Sequence, residues 1–123
     1  MRYLCLLVGD PSDTSVVPPT PGSDEFRQMM DDFRTATAAM HDSGVLVDSA
    51  PLQDPHGART LRLRNGEPLV TDGPFMEMKE VIGGYYVLDC GSLDEALRWA
   101  ATIPSARYGA IEVRPIMVLP GME

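Results

Sequence analysis

The chain has 123 residues, enough for one domain and not for two. Hydrophobic residues make up 44% and charged residues 23%, a globular balance that excludes wholesale disorder. Ten basic against eighteen acidic side chains give a net charge of −8, with no Lys/Arg cluster to offset it, so direct nucleic-acid or membrane-surface binding is not expected.

Residues 2–8 (Arg-Tyr-Leu-Cys-Leu-Leu-Val) predict a first strand, stopped by Gly9-Asp10-Pro11. That apolar run is too short for a signal peptide, and no run approaches the ~20 residues that span a bilayer, so the expected compartment is the cytoplasm. Residues 9–22 carry four prolines and several turn formers, which predicts a loop laid over the domain or left mobile. A helix follows. Ser23 suits its N-cap, and Asp24 and Glu25 suit the positive end of its dipole. Phe26, Met29, Met30, Phe33 and Met40 share one helical face, with Thr37 its single polar member. Core packing is the first reading of these methionines, and a ligand-binding Met cluster the second. Gly44 closes the helix, and His41 faces its last carbonyls.

Residues 45–53 predict a second strand that weakens at Pro51, followed by a turn at residues 54–57. Asn65-Gly66 is a two-residue hairpin signal between arms at 58–64 and 67–71. On the first arm Thr60, Arg62 and Arg64 share one face, and Leu61 and Leu63 the other. Pro68 cannot donate to a ladder and places its arm at an edge. After a turn-rich connection, residues 81–90 predict a strand in which Gly83-Gly84 allows close backbone approach or fits a bulge. Ser92-Leu93-Asp94-Glu95 is a capping box. Leu93, Ala96, Leu97, Ala100 and Ala101 form that helix's apolar face, Pro104 ends it, and residues 109–118 predict the last strand.

The order is β-α-β, a hairpin insertion, then β-α-β. This is an α+β, ferredoxin-like split βαβ arrangement with two helices on one face of an antiparallel sheet. Such a sheet normally leaves its second face wet and its strands alternate. Residues 3–8 and 85–88 instead are apolar at both parities, so the second face needs a cover. A second copy of the same sheet is the simplest one, giving a homodimer; an apolar ligand pocket is another, and the two are compatible.

Candidate chemistry is sparse. There is no nucleophile elbow, no phosphate-binding loop and no zinc-like Cys/His spacing, so neither cofactor nor metal is expected. Cys5 and Cys90 read as buried thiols, His41 as a helix-terminal residue and His56 as a solvated turn residue. Residues 70–84 are the most distinctive segment. Asp72 can accept from backbone N–H groups just ahead, Gly73-Pro74 forces a corner, and Phe75 can anchor in the core. Glu77, Lys79 and Glu80 are left over, either as a solvated edge or as a polar cluster at a pocket mouth. In the second case Asp72 and Glu80 are the candidate catalytic carboxylates. Lys79, Arg62, Arg64 and Arg114 then form a candidate binding set for an anionic small molecule, because guanidinium groups match carboxylate and phosphate geometry.

Thr71-Asp72-Gly73-Pro74-Phe75, with Glu77, Lys79-Glu80 and Gly83-Gly84, resembles the signature of the DGPF (DGPFAETKE) family of YCII-related proteins. Arg2-Tyr3-Leu4 resembles that family's opening strand, Asn65-Gly66 and Val70 its hairpin, and the segments 103–107 and 111–115 its close. The likeness spans nearly the whole chain except residues 9–22. Met76 and Met78 stand where the motif usually has Ala and Thr, and Ile103 where many members carry His. The resemblance implies a ferredoxin-like fold pairing into a dimeric α+β barrel. It implies no established reaction, only an association of some such domains with sigma factors, hence with transcription. More distant YCII-related proteins use a His–Asp pair in lyase-type chemistry; neither His41 nor His56 stands at a matching place. The expected function is a homodimeric small-molecule-binding or regulatory module. The alternative is a lyase or isomerase with Asp72 or Glu80 as base and Arg or Lys steadying the oxyanion.

Overall fold

The two strands that are apolar at both parities end up in the middle of the sheet. β1 (Arg2–Gly9) and β5 (Val81–Asp89) are its inner strands, with β2 (Leu46–Pro51) beyond β5 and β6 (Ala110–Pro115) beyond β1, all neighbours antiparallel. The computed structural model describes residues 1–74 and 80–122. α1 (Asp24–Asp42) links β1 to β2, and α2 (Leu93–Ala100) with the short α3 (Ser105–Tyr108) links β5 to β6. This β2-β5-β1-β6 order is that of a ferredoxin-like α+β fold. Between β2 and β5, β3 (Arg59–Arg64) and β4 (Glu67–Asp72) form a separate two-stranded sheet.

Side-chain alternation divides the main sheet into two faces. Tyr3, Cys5 and Leu7 of β1, with Tyr86 and Leu88 of β5, point toward the helices and pack with Met40, Ala96, Ala100 and Ile103 as the core. Leu4 and Leu6, paired with Val87 and Tyr85, are half-buried on the other face. Glu112 and Arg114 flank this strip on the β6 side. Asp48 flanks it on the β2 side and accepts a 3.0 Å hydrogen bond from the Tyr85 hydroxyl.

Local signals act as their chemistry requires. The Ser23 hydroxyl accepts from the Phe26 N–H at 3.1 Å, and Gly44 takes the left-handed conformation that ends α1. Ser92 caps α2, but the Glu95 carboxylate reaches past it to the Gly91 N–H at 2.7 Å. Asn65 and Gly66 both have positive φ, as a two-residue hairpin turn needs. Gly83-Gly84 serves both expected purposes. Leu7 pairs with Gly84 and Val8 with Ile82, which leaves Gly83 as the extra residue of a bulge. A side chain on Gly84 would stand 2.9 Å from the Ala50 carbonyl oxygen, so this is a close approach of β2 to β5.

Four expectations change. The α2 core face is narrower than its pattern: Ala96 and Ala100 are buried, whereas Leu93 (44%) and Leu97 (47%) are exposed, because two small residues let the helix lie close to the sheet. α2 ends at Ala100, and the buried Pro104 instead starts α3. The last strand ends at Pro115, not at residue 118. On α1 only Met40 of the three face methionines is in the core; Met29 and Met30 are half-buried elsewhere. Among the described residues no helix is long and apolar enough to cross a membrane.

Candidate functional site

The space missing from beneath the first half of α1 is a cavity of about 860 Å³. Met29, Met30, Phe33 and Thr37 of α1 form one wall. The end of β1 (Leu7, Val8, Gly9) and Val81, Gly83 and Tyr86 of β5 form the opposite one. The proline-rich loop closes the outside with Pro11, Val16 and Pro18, and Ser105 and Tyr108 close one end. The loop therefore lies over the domain. Asx turns hold it in shape: Asp10 Oδ1 accepts from the Ser12 N–H at 2.9 Å, and Asp13 Oδ1 from the Ser15 N–H at 2.9 Å. The Ser15 hydrogen bonds also hold the Asp13 carboxyl below its ordinary pKa. Volume and lining fall in the range of small-molecule sites, which are mostly apolar with few polar groups.

Thr37, Tyr86 and Ser49, which pairs with Tyr86 across β2 and β5, are the polar residues of the inner wall, and the first two are joined through their hydroxyls. Tyr86 is 6% exposed, and a buried phenol needs a partner. Thr37 supplies it, with 2.7 Å between Thr37 Oγ1 and the Tyr86 hydroxyl oxygen. This explains the single polar residue on the apolar face of α1. Among the described lining residues the charged ones are Asp10 and Asp13, both on the loop.

The polar residues singled out from sequence lie elsewhere. Asp72 ends β4 with its carboxylate 91% exposed and paired with Arg59 Nε at 3.1 Å. It does not take the Gly73 N–H, because that group donates to the Ala58 carbonyl at 2.9 Å. Gly73 turns the corner with positive φ. Arg59 was not singled out, although the Asn65-Gly66 turn sets the register that puts it opposite Asp72. Glu80 is exposed just before β5. Arg62 and Arg64 lie on the hairpin face that carries Thr60 and Thr71. Arg114 pairs across to Leu4, whereas Val81, next to Glu80, pairs with Gly9. Five residues of β1 separate those two levels, about 17 Å at strand rise. One chain thus sets Arg114 well apart from Glu80. Phe75, Glu77 and Lys79 lie outside the described residues.

Other titratable groups are structural. His41 and His56 are exposed, His41 at the end of α1 and His56 in a turn where its N–H donates to Asp54 at 2.9 Å. Burial, with Cys90 beside it, pushes the Cys5 thiol up to about 11; Cys90 is also raised, chiefly by burial. Neither is a thiolate near neutral pH. Among the described residues no group of three or more His, Cys, Asp or Glu could hold a metal ion.

The chain belongs to the YCII-related family, whose domain matches residues 1–120. An uncharacterised protein of Rhizobium meliloti (strain 1021) is 38% identical over 118 residues, covering 94% of this chain and 92% of that protein. Among solved structures, 5-chloro-2-hydroxyhydroquinone dehydrochlorinase of Burkholderia phenoliruptrix AC1100, in complex with 2,5-dihydroxybenzoquinone, superimposes with a TM-score of 0.46 and 16% identity. That match covers 95% of this chain and 94% of the other.

Proposed function

We propose that this YCII-related protein is a small-molecule-binding module that works as a homodimer, with its ligand in the cavity between α1 and the sheet. The cavity carries the reading: about 860 Å³ of apolar-walled space lies next to a core that is otherwise packed. A helix face rich in Met and Phe is an adaptable ligand wall. The strip Leu4, Leu6, Tyr85 and Val87, apolar at its centre and edged by Asp48, Glu112 and Arg114, has the layout of an interface core with a polar rim. Paired through this strip, two sheets form the dimeric α+β barrel that a DGPF-type domain implies. The hairpin adds a second apolar surface, with Leu61 (63%), Leu63 (65%) and Val70 (60%) exposed on one face. A cytoplasmic, regulatory role linked to sigma-factor-dependent transcription rests on the family resemblance alone.

Thermal unfolding against a metabolite library tests the reading. A ligand that binds only the folded form at 100 times its Kd stabilises it by about 2.7 kcal/mol, a rise of several degrees. A broad library that leaves the melting temperature unmoved refutes it. The catalytic alternative, with Asp72 or Glu80 as base, needs the partner subunit to cover the hairpin, since a base works when held against its substrate and shielded from bulk water.

A further inference from the structure

The lining of the cavity specifies what enters it; this inference rests on the proposed binding role and refines it. Thr37 and Tyr86 carry two hydroxyl protons between them. Their 2.7 Å hydrogen bond uses one, whichever of the two is the donor. The described contacts of the two side chains include no other hydrogen bond, to the α1 backbone or elsewhere, so one O–H remains in a mostly apolar lining whose other polar members are Ser49, Ser105, Tyr108 and the loop carboxylates. A donor in such a wall is best satisfied by an oxygen of the bound molecule.

Charge supplies the second constraint. The described lining contains no Lys, Arg or His, and its charged members are the loop carboxylates of Asp10 and Asp13. An anion would lose hydration here, gain no cation from the described lining and face two like charges. Arg62, Arg64 and Arg114, the candidate anion binders, are on the hairpin and on β6, outside the cavity lining.

We infer that the cavity takes an uncharged, predominantly apolar molecule whose hydroxyl or carbonyl oxygen is seated on the Tyr86–Thr37 pair, and that it rejects anions of the same shape. Such a ligand differs in charge from the one expected from sequence, whose candidate Lys79 lies outside the described residues.

Three probes built on one ring system test it by titration calorimetry at neutral pH: 2-naphthol, naphthalene and 2-naphthoate. The naphthol binds about fivefold tighter than naphthalene, the worth of one net hydrogen bond. The naphthoate binds at least about tenfold weaker than the naphthol. The double variant Tyr86→Phe with Thr37→Val, which removes both hydroxyls, loses the preference for naphthol while leaving naphthalene affinity within about twofold, and an unfolding curve confirms that it folds. Equal binding of naphthol and naphthalene, or a preference that survives both substitutions, overturns the oxygen seat and leaves the cavity's binding role standing. Naphthoate binding as tightly as naphthol overturns the charge rule. Failure of all three probes overturns this inference and, joined to a silent library screen, the binding role beneath it.

Discussion

Two adjacent glycines give opposite responses to the same substitution. At Gly84 an added Cβ would stand 2.9 Å from the Ala50 carbonyl oxygen and 3.3 Å from the Pro51 Cα. Both are backbone atoms of the paired strand β2 and cannot rotate away, so relief means moving β2 off β5 by several tenths of an ångström. Overpacking of this kind costs about 1–3 kcal/mol. At Gly83 nothing lies within 4 Å of the added atom, and neither glycine has positive φ. Alanine there restricts only the unfolded chain, a gain of about 0.4–1 kcal/mol that also offsets part of the cost at Gly84. With an unfolding entropy near 2.1 cal/mol/K per residue, 1 kcal/mol moves the melting temperature of a chain this size by about 4 °C. Gly84→Ala is therefore expected to melt about 5 °C below wild type, and at most about 10 °C below, and Gly83→Ala at or up to about 4 °C above it, by calorimetry or circular dichroism. Equal shifts for the two variants, or the larger loss at Gly83, would refute the close approach of β2 to β5 and the bulge beside it.

Leu6→Lys places a charge at the centre of the half-buried strip; the wild type should sediment as a dimer at micromolar concentration and the variant as a folded monomer. A monomeric wild type ends the homodimer reading. Asp72→Asn removes an exposed ion pair and is expected to change stability by less than about 1 kcal/mol. A large loss would mean that Asp72 braces the fold, whereas lost turnover on a substrate of the intact protein would favour the catalytic alternative. Cys5 gives a pH signature. Its thiol is raised from the ordinary 9.0 to about 11, so the folded state favours the protonated form. That stability is fully present below about pH 9 and is lost as pH rises toward 11. Denaturation midpoints across this window should fall more steeply for wild type than for Cys5→Ala; parallel curves would contradict it.

Signals confined to a few neighbouring residues were readable without coordinates. Ser23, Gly44, Asn65-Gly66 and Ser92 each act through backbone groups within four residues, and each took its expected place. The unusual parity of residues 3–8 and 85–88 was equally informative: these became the inner strands, with Tyr3, Cys5, Tyr86 and Leu88 in the core and Leu4, Leu6, Tyr85 and Val87 half-buried on the other face. The α2 face was misjudged for the opposite reason. Periodicity counts Leu93 and Leu97 as core equals of Ala96 and Ala100, but how far a helix tilts onto its sheet is decided by side-chain volume at the contact.

The cavity was the least readable feature, since α1, both inner strands, β2, α3 and the loop all contribute to its wall. Two local oddities belonged to it: a lone threonine on an apolar helical face and a proline-rich loop with no evident task. Thr37 is the partner of the buried Tyr86, and the loop is the outer wall. The segment at 70–84 divides between two places. Its charged head, Asp72, stands in solvent on the hairpin, while its apolar tail supplies Val81 and Gly83 to the cavity wall. Charged residues attract notice because their chemistry is visible one at a time. An apolar binding site has no such residue, and only the fold shows that Met29, Met30 and Phe33 line a space instead of filling one.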